Sequence, residues 1–369
     1  MAFRLSAFYF AFFAYAGAYV AYFPLYLAER GLSAAHIAWV LAIAPVTRIF
    51  APQAWGWLAD RTGAHRGIVV FSCAVSAAAF AALHFTSHIA LVIGVMSVLS
   101  AGALPIVEAI TLASLAGQSG RYGPIRLWGS VGFIAVVLAG GWWLDYHPIA
   151  TLPAVLVLFM LATLAVALAL PRGKPRISAK AEPVRFTPAA RALCAAGFCN
   201  AVAHGALYAF LSIHLEALGY SATTIGMLWT LGVLAEIVVF FYLPKLFRRF
   251  ALSTILVFSL ASGAARFLAI GWAAQVLWIV LLAQLLHAAT FGSFHAASVA
   301  AVHRVFPENA QARGQTWFSG ISYGAGAASG FMISGWAWQG GGAQAAFAVS
   351  AMAALAGALF AGRLKRAGL

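Results

Sequence analysis

Charged residues are scarce in this sequence. They account for 8% of its 369 residues, while hydrophobic residues account for 64%. Soluble domains contain about 45–50% apolar residues, and a chain with so few charges has too little polar surface to cover such a core. The composition therefore excludes a water-soluble globule and indicates a membrane protein that crosses the bilayer many times.

Cysteines and catalytic motifs are also scarce. Cys73, Cys194 and Cys199 lie in apolar runs and show neither CxxC nor Cys/His metal spacing, so we expect no disulfide framework and no metal site. The sequence contains no HExxH motif and no phosphate-binding loop, and its longest polar loop is too short for a soluble sensor domain. An enzyme or a non-transporting sensor is therefore disfavoured, and no cofactor is expected.

The sequence is rich in long apolar runs. Twelve of them have about 20 residues, the length that crosses the hydrocarbon core of a bilayer. They predict an all-α membrane protein with twelve transmembrane helices, called spans 1 to 12 below. The runs lie near 6–28, 35–59, 67–87, 89–115, 125–144, 149–170, 191–215, 222–244, 252–272, 275–301, 315–338 and 343–362.

The net charge of +14 is distributed unevenly along the chain. Nearly all Lys and Arg residues outside the spans fall in loops on the same side as the N-terminus, whereas the opposite side carries Arg30. Because positive charge accumulates on the cytoplasmic side, both termini are predicted to be cytoplasmic. The basic charge is thus explained by topology in a lipid bilayer, and nucleic acid is not an expected partner.

The chain also divides into two halves of similar length. The segment 171–190 is rich in Pro, Lys and Arg and is predicted to be a cytoplasmic linker between the six-span bundles 1–170 and 191–369. A shift of 188 positions aligns Gly17 with Gly205, together with several neighbouring residues, which indicates an internal repeat. One large class of secondary transporters has two such parallel repeats, with a binding site between them near the membrane midplane.

Four ionisable residues lie well inside the spans: Arg48, Glu108, Glu236 and Arg266. Each costs roughly 2.5–3.5 kcal/mol at a helix centre, and such residues usually mark a transport pathway. The repeat shift aligns Arg48 with Glu236, so we expect opposite charges to pair across an interior cavity. We predict Arg48 and Arg266 as counter-ions for an anionic substrate, and Glu108 and Glu236 as proton carriers. Static ion pairs that only orient helices are the alternative.

Span 10 combines polar and aromatic side chains on one helical face. At 100° per residue this face contains Gln284, His287, Phe291 and His295. We predict His287 and His295 as participants in proton coupling and Phe291 as a substrate contact. In span 7, His204 and Tyr208 are predicted to line the same site. Hydrogen-bonded packing is the alternative for His204 and His295.

Span 1 carries an aromatic stripe that includes Tyr15, Tyr19 and Tyr22 on one predicted face. Hydroxyl groups deep in a span need hydrogen-bond partners, and a wall of rings and hydroxyls suits a planar organic substrate. Trp229 of span 8 lies on the same predicted helical face as Glu236 and is expected to join this wall. Plain core packing is the alternative for the stripe.

The segment GWLADRTGAHR, residues 56–66, resembles the signature that the major facilitator superfamily carries between spans 2 and 3. That resemblance implies two pseudo-symmetric six-helix bundles and a cytoplasmic gate. The residues to which it gives gating roles are Gly56, Asp60, Arg61, Gly63, Arg66 and Arg126.

Three further segments, 125–133, 219–237 and 284–297, resemble the bacterial phenylpropionate permease group, which is related to proton symporters for sugars and nucleosides. This resemblance implies import of a small aromatic carboxylate with protons. Span 5 lacks the Gly-Pro pair that is associated with drug antiporters, which favours symport over efflux.

We therefore expect a monomeric proton symporter of the bacterial inner membrane that imports a small organic solute, with an aromatic monocarboxylate as the favoured cargo. A sugar or nucleoside symporter is the first alternative, and a drug efflux antiporter is the second.

Overall fold

A computed structural model describes residues 1–115, 119–172 and 186–369, and the regular structure in these ranges is helical. Most of the predicted linker lies outside the described residues. The α-helices are α1 (Ala2–Glu29), α2 (Ala34–Arg48), α3 (Ala51–Thr62), α4 (His65–Ala82), α5 (Ile89–Ser100), α6 (Ala103–Ser114), α7 (Tyr122–Tyr146), α8 (Leu152–Leu168), α9 (Pro188–Ala203), α10 (Gly205–Ala217), α11 (Ala222–Arg249), α12 (Leu252–Ala273), α13 (Leu277–Leu285), α14 (Phe294–Val305), α15 (Gln311–Ser319) and α16 (Ala327–Arg363).

Eleven helical segments in the described ranges are long and apolar enough to cross a membrane. The last of them, Gln311–Arg363, has 53 residues, which is far more than one crossing requires. Its helical path is broken at Gly341 and Gly342, where Gly342 adopts φ 64°. The break separates spans 11 and 12, so the prediction of twelve helical spans is confirmed.

Several spans consist of two helices. Span 2 is interrupted between Arg48 and Ala51, and span 7 is interrupted at His204. Spans 10 and 11 each contain a π-helical segment, Ala288–Ser293 and Gly320–Gly326 respectively. π-Helical turns occur frequently at functional sites. The breaks in spans 2 and 7 and the π-helical turn of span 10 each adjoin residues that are predicted to bind substrate or protons.

The π-helical turn of span 11 includes GISYG, residues 320–324, which has the Gly-x-Ser-x-Gly spacing of a hydrolase nucleophile. A nucleophile elbow requires a sharp turn between a strand and a helix. Here the serine, Ser322, is buried inside a continuous helical span. The segment therefore lacks the geometry of an esterase site.

Contacts divide the chain into two compact units. Unit 1 comprises Met1–Arg30, Thr47–Ala179 and Ser221–Gly226, and unit 2 comprises Gly31–Val46, Lys180–Tyr220 and Met227–Leu369. In unit 1, α1 packs along α7 and α8, and in unit 2, α16 packs along α9 and α12. Each unit has its own core of buried aliphatic and aromatic side chains.

The units differ from the predicted halves in two short segments. The first turn of α11 clusters with unit 1 because its Ala222 carbonyl lies against Gly141 of α7. The first half of span 2 clusters with unit 2 because Ala38 lies against Gly335 of α16. In both places a glycine lets the two backbones approach closely.

Glycine also sets the distance between α1 and α7. A Cβ atom at Gly132 would collide with the backbone carbonyl of Phe10, and one at Gly17 would lie 2.9 Å from the Phe133 carbonyl oxygen. Backbone atoms cannot rotate away as a side chain can. A methyl group at Gly132 must therefore separate the two helices.

We predict that Gly132→Ala lowers the free energy of unfolding by about 1–3 kcal/mol, the usual cost of overpacking. Thermal unfolding of the purified protein in detergent measures this change. Gly123→Ala in the same helix is the matched control, because a Cβ atom there meets nothing within 4 Å. Equal melting temperatures for the two variants would contradict the prediction.

Candidate functional site

A buried arginine forms the centre of the candidate site in unit 2. The side chain of Arg266, on α12, is 1% exposed. Its Nη1 donates to Thr290 Oγ1 over 3.0 Å and to His287 Nδ1 over 3.1 Å, and its Nη2 donates to Gln284 Oε1 over 2.8 Å. These acceptors are uncharged while His287 is neutral, although buried charges are normally paired with opposite charges. We call Arg266, Gln284, His287, Thr290 and the neighbouring Glu236 the Arg266 cluster.

The arginine determines which nitrogen of His287 carries the proton. A guanidinium group can only donate hydrogen bonds, so Nδ1 must accept from Arg266. We therefore assign the proton of the neutral ring to Nε2, which lies 3.9 Å from Glu236 Oε2. Protonation of Nδ1 would remove the acceptor and break the bond to Arg266. His287 thus connects a buried cation to a carboxylate through its two nitrogens.

Glycine and glutamine residues hold the remaining partners in place. A Cβ atom at Gly292, in the π-helical turn of span 10, would lie 2.9 Å from Glu236 Cγ, so this glycine lets Glu236 approach span 10. Gln284 Nε2 donates to the Leu228 carbonyl of α11 over 3.0 Å, which orients the amide oxygen towards Arg266. Helices α11, α12 and α13 are thereby joined at this cluster.

His295 lies in the first turn of α14, directly after the π-helical turn of span 10. Its Nδ1 shares a 2.9 Å hydrogen bond with Tyr323 Oη, and Tyr323 lies in the π-helical turn of span 11. The first turn of α14, which follows the π-helical turn of span 10, is therefore connected to the π-helical turn of span 11 by a polar contact. Tyr323 was not singled out from the sequence, because its partner lies 28 residues away in another span.

His204 lies at the interruption of span 7 and is 3% exposed. Its Nδ1 donates to the Asn200 carbonyl over 2.8 Å, which leaves Nε2 as an acceptor in the neutral ring. This Nε2 is buried and has no partner in the described ranges. The His204 ring contacts the rings of His287 and Phe291 at centroid distances of 6.4 and 5.9 Å.

The predicted aromatic residues of unit 2 surround this histidine. Tyr208 stacks on Trp229 with centroids 6.0 Å apart, and Trp229 Nε1 donates to Ser212 Oγ over 3.0 Å. Phe291 stacks between the imidazoles of His287 and His295, at 5.3 and 6.3 Å. The structure therefore brings the predicted histidines and rings of spans 7, 8 and 10 together around the Arg266 cluster.

The aromatic stripe of span 1 differs in one member from its prediction. Continuous ring contacts connect Tyr15 to Tyr19 and Tyr19 to Phe23, with Phe80 of α4 against both tyrosines. Tyr22 is fully buried, and its hydroxyl donates to the Val137 carbonyl over 2.6 Å. Tyr22 therefore packs against α7, and Phe23 stacks on Tyr19 in its place.

Arg48 is the last residue of α2 and its side chain is exposed. It lies close enough to Tyr15 and Tyr19 to act on both hydroxyls electrostatically. Arg48 belongs to unit 1 and Glu236 to unit 2, so their pairing across a cavity remains a prediction.

Unit 1 brings Glu108 and Arg126 together, although the sequence assigned them separate roles. The two side chains interact electrostatically, and the Arg126 guanidinium lies 3.9 Å from the ring centre of Phe13. Tyr9 packs on the same arginine and lies 3.2 Å from Thr111 Oγ1. The Thr111 hydroxyl donates to its own helix, so Tyr9 is the donor in that contact.

The signature segment forms the end of α3 and the beginning of α4. Gly63 terminates α3 with φ 69°, a conformation that favours glycine, whereas a Cβ atom at Gly56 would meet open space. Asp60 Oδ1 accepts from His65 Nε2 over 3.3 Å. His65, a buried residue of the same segment, was not among the residues predicted from the sequence.

Arg61 and Arg66, the basic residues of this segment, differ in their surroundings. The Arg61 guanidinium lies 5.2 Å from the ring centre of Trp57, and Arg66 is half-buried in the first turn of α4. Cation–ring contacts of exposed arginines contribute roughly 0.5–1 kcal/mol. Arg61 is thus held against α3 by a side chain of its own helix.

These features can be compared with known proteins. The MFS_1 like family matches residues 2–349. The chain belongs to this family. It is accordingly a multi-pass membrane transporter of the major facilitator superfamily (MFS) and not an enzyme.

The proteins that are similar to this MFS transporter are named after different transported compounds. Maltose permease of Geobacillus stearothermophilus is 27% identical over 346 residues, which cover 89% of this chain and 87% of the relative. The probable 3-phenylpropionic acid transporter of Escherichia coli (strain K12) is 32% identical over 185 residues, or 48% of each chain. The crystal structure of the nucleoside transporter NupG matches with a TM-score of 0.85 at 15% identity and covers 99% of both chains. This match confirms the predicted fold.

We predict that Thr290→Val in this MFS transporter lowers the free energy of unfolding by about 1–3 kcal/mol. The valine has a similar shape but removes a hydrogen-bond acceptor from the buried Arg266, which leaves a donor unsatisfied. Denaturant unfolding in detergent measures the change. Thr290→Ser keeps the hydroxyl and is the control, and equal losses in the two variants would contradict the role of this hydrogen bond.

Proposed function

We propose that the protein imports a small aromatic monocarboxylate together with a proton, by alternating access, across the inner membrane of a bacterium. The observation that carries this proposal is the chain of contacts from Arg266 through His287 to Glu236. It places a buried cation, an imidazole and a carboxylate in series within one unit.

Arg266 serves as the counter-ion of the cargo. Its present acceptors are an amide, a hydroxyl and an imidazole. A carboxylate adds an opposite charge and can accept two parallel hydrogen bonds from a guanidinium, which none of these neutral acceptors does. An entering carboxylate therefore displaces the weaker acceptors. In unit 1, Arg48, which interacts electrostatically with Tyr15 and Tyr19, is the second counter-ion.

Binding of the cargo releases His287 to accept a proton. As long as Arg266 donates to Nδ1, this nitrogen has no free lone pair. Once the cargo takes the guanidinium, Nδ1 becomes basic, and the imidazolium formed is stabilised by Glu236, 3.9 Å from Nε2. Cargo and proton therefore favour each other's binding, and linkage makes this effect reciprocal.

The surrounding residues bind the organic part of the cargo. His204, Tyr208, Trp229 and Phe291 provide ring faces around the Arg266 cluster, and stacked aromatic rings favour a planar cargo group. His295 extends the proton path towards Tyr323.

Unit 1 supplies a second proton group and the gate. Glu108, beside Arg126, is proposed as the second proton carrier. Gating is assigned to the signature segment from Gly56 to Arg66, in which Asp60 contacts His65, with Arg126 contributing from α7.

The relatives support two cargo classes. The probable 3-phenylpropionic acid transporter supports an aromatic acid, while its match covers about half of the chain. Maltose permease matches 89% of the chain and supports a sugar as the second candidate. In a sugar symporter, Glu236 and Glu108 would accept hydrogen bonds from cargo hydroxyl groups, and Arg266 would retain its neutral acceptors.

Proteoliposomes with an acidic exterior and an alkaline interior separate these functions. We predict accumulation of labelled 3-phenylpropionate that collapses when the pH gradient is removed. Cotransport of a monocarboxylate anion with a single proton moves no net charge, whereas cotransport of a neutral sugar with a proton produces a current. Maltose accumulation accompanied by a current would favour the sugar function, and flux of neither compound would overturn both cargo assignments.

Glu236→Gln tests the proton step in the same vesicles. The variant is expected to retain exchange of labelled for unlabelled cargo but to lose accumulation driven by the pH gradient, because the amide cannot stabilise a protonated His287. Glu308→Gln, which changes an exposed glutamate in the same way, is the control and should accumulate cargo normally. Undiminished accumulation by Glu236→Gln would refute the assigned role.

A further inference from the structure

The N-terminus of α11 is capped from two different parts of the chain. The first helical N–H groups of a helix have no acceptor within the helix. Ser221 Oγ accepts from Thr224 N over 3.2 Å, as a local cap does. The carboxylate of Asp145, near the end of α7, accepts from Ala222 N over 2.7 Å and from Thr223 N over 3.2 and 3.3 Å. Two N–H groups of span 8 are thus satisfied by span 5.

Glycines bring the two helices close enough for this contact. A Cβ atom at Gly141 of α7 would lie 2.5 Å from the Ala222 carbonyl oxygen. A Cβ atom at Gly226 of α11 would lie 2.6 Å from both the Val137 carbonyl oxygen and the Tyr22 hydroxyl. Even a methyl group at either glycine would push α7 and α11 apart. Asp145 therefore caps α11 only while the two helices are in contact.

A similar close contact between a glycine and a helix N-terminus occurs at the corresponding place of the other repeat, where the carboxylate is absent. Shifting the chain by 194 positions aligns Gly141 and Trp142 with Gly335 and Trp336. A Cβ atom at Gly335 would lie 3.0 Å from the carbonyl oxygen of Ala34, at the beginning of α2. The same shift aligns Asp145 with Gln339. The close glycine contact occurs in both repeats, whereas the carboxylate belongs to the contact between spans 5 and 8.

We propose that Asp145 is a positioning residue of the transport cycle, acting as a removable cap that stabilises the conformation in which spans 5 and 8 touch. When these spans separate, the carboxylate and the two N–H groups exchange their mutual hydrogen bonds for water. A carboxylate at a helix N-terminus is stabilised both by these bonds and by the helix dipole. The cap therefore sets how often the contact opens.

This inference rests on alternating access, which is part of the proposed function, but it requires neither the cargo nor the proton step. Loss of a side-chain cap changes an equilibrium by roughly 2- to 30-fold. We expect Asp145→Ala to shift the ratio of separated to touching conformations by such a factor. Asp145→Asn keeps an acceptor oxygen but loses the charge, so its shift should be smaller.

Distances between spin labels measure this ratio in lipid nanodiscs. The labels are attached at Tyr146→Cys and Leu218→Cys, two exposed positions, with the native cysteines replaced by serine. Asp145→Ala should increase the population with long distances, and Asp145→Asn provides the same readout if the alanine variant fails to fold. No cargo or pH gradient is needed, so this experiment can fail while proton-coupled uptake is observed, and the reverse also holds.

Ser221→Ala is the matched control. It removes the local cap of the same helix turn, which stays in place whether or not α7 and α11 touch. We expect a lower melting temperature but unchanged distance populations. The proposal is overturned if Ser221→Ala shifts the populations as much as Asp145→Ala does, or if neither Asp145 variant shifts them.

Discussion

The buried guanidinium of Arg266 is the interaction on which the site in unit 2 depends. A charge in an apolar interior is costly unless its donors are satisfied, and here Gln284, His287 and Thr290 satisfy three of them. This requirement fixes the proton on His287 Nε2 and directs it towards Glu236. The acceptors that these three residues offer to the guanidinium are an amide, an imidazole and a hydroxyl. Because these acceptors are neutral, we propose that an anionic cargo replaces one of them.

Much of the fold could be predicted because the hydrocarbon core imposes long apolar runs. Even the break at Gly341 and Gly342 falls between two predicted spans. The π-helical turns in spans 10 and 11 could not be predicted, since hydrophobic patterns do not report a local change of helical pitch. Their presence means that side-chain directions calculated for a regular α-helix are approximate in the parts of spans 10 and 11 closest to the site.

The sequence singles out the ionisable residues of the candidate site but not their pairings. Intramembrane charges such as Arg266 and Glu236 are conspicuous in an apolar sequence, whereas polar uncharged partners such as Thr290 are not. Partners are separated by up to 115 residues, as for Tyr22 and Val137, so spacing along the chain cannot reveal them. The repeat shift aligns Arg48 with Glu236, whereas within the units Arg126 interacts electrostatically with Glu108 and Arg266 is hydrogen-bonded to His287.

We propose that carboxylate cargo and a proton bind together because both break the hydrogen bond between Arg266 and His287. The cargo takes the guanidinium, and the proton takes Nδ1 of the imidazole. Calorimetric titration of the purified protein with 3-phenylpropionate, in two buffers of different ionisation enthalpy at one pH, tests it most directly. The account predicts binding heats that differ between the buffers by the amount expected for net proton uptake. The difference should disappear in His287→Asn. Clear binding with identical heats in both buffers would contradict the account.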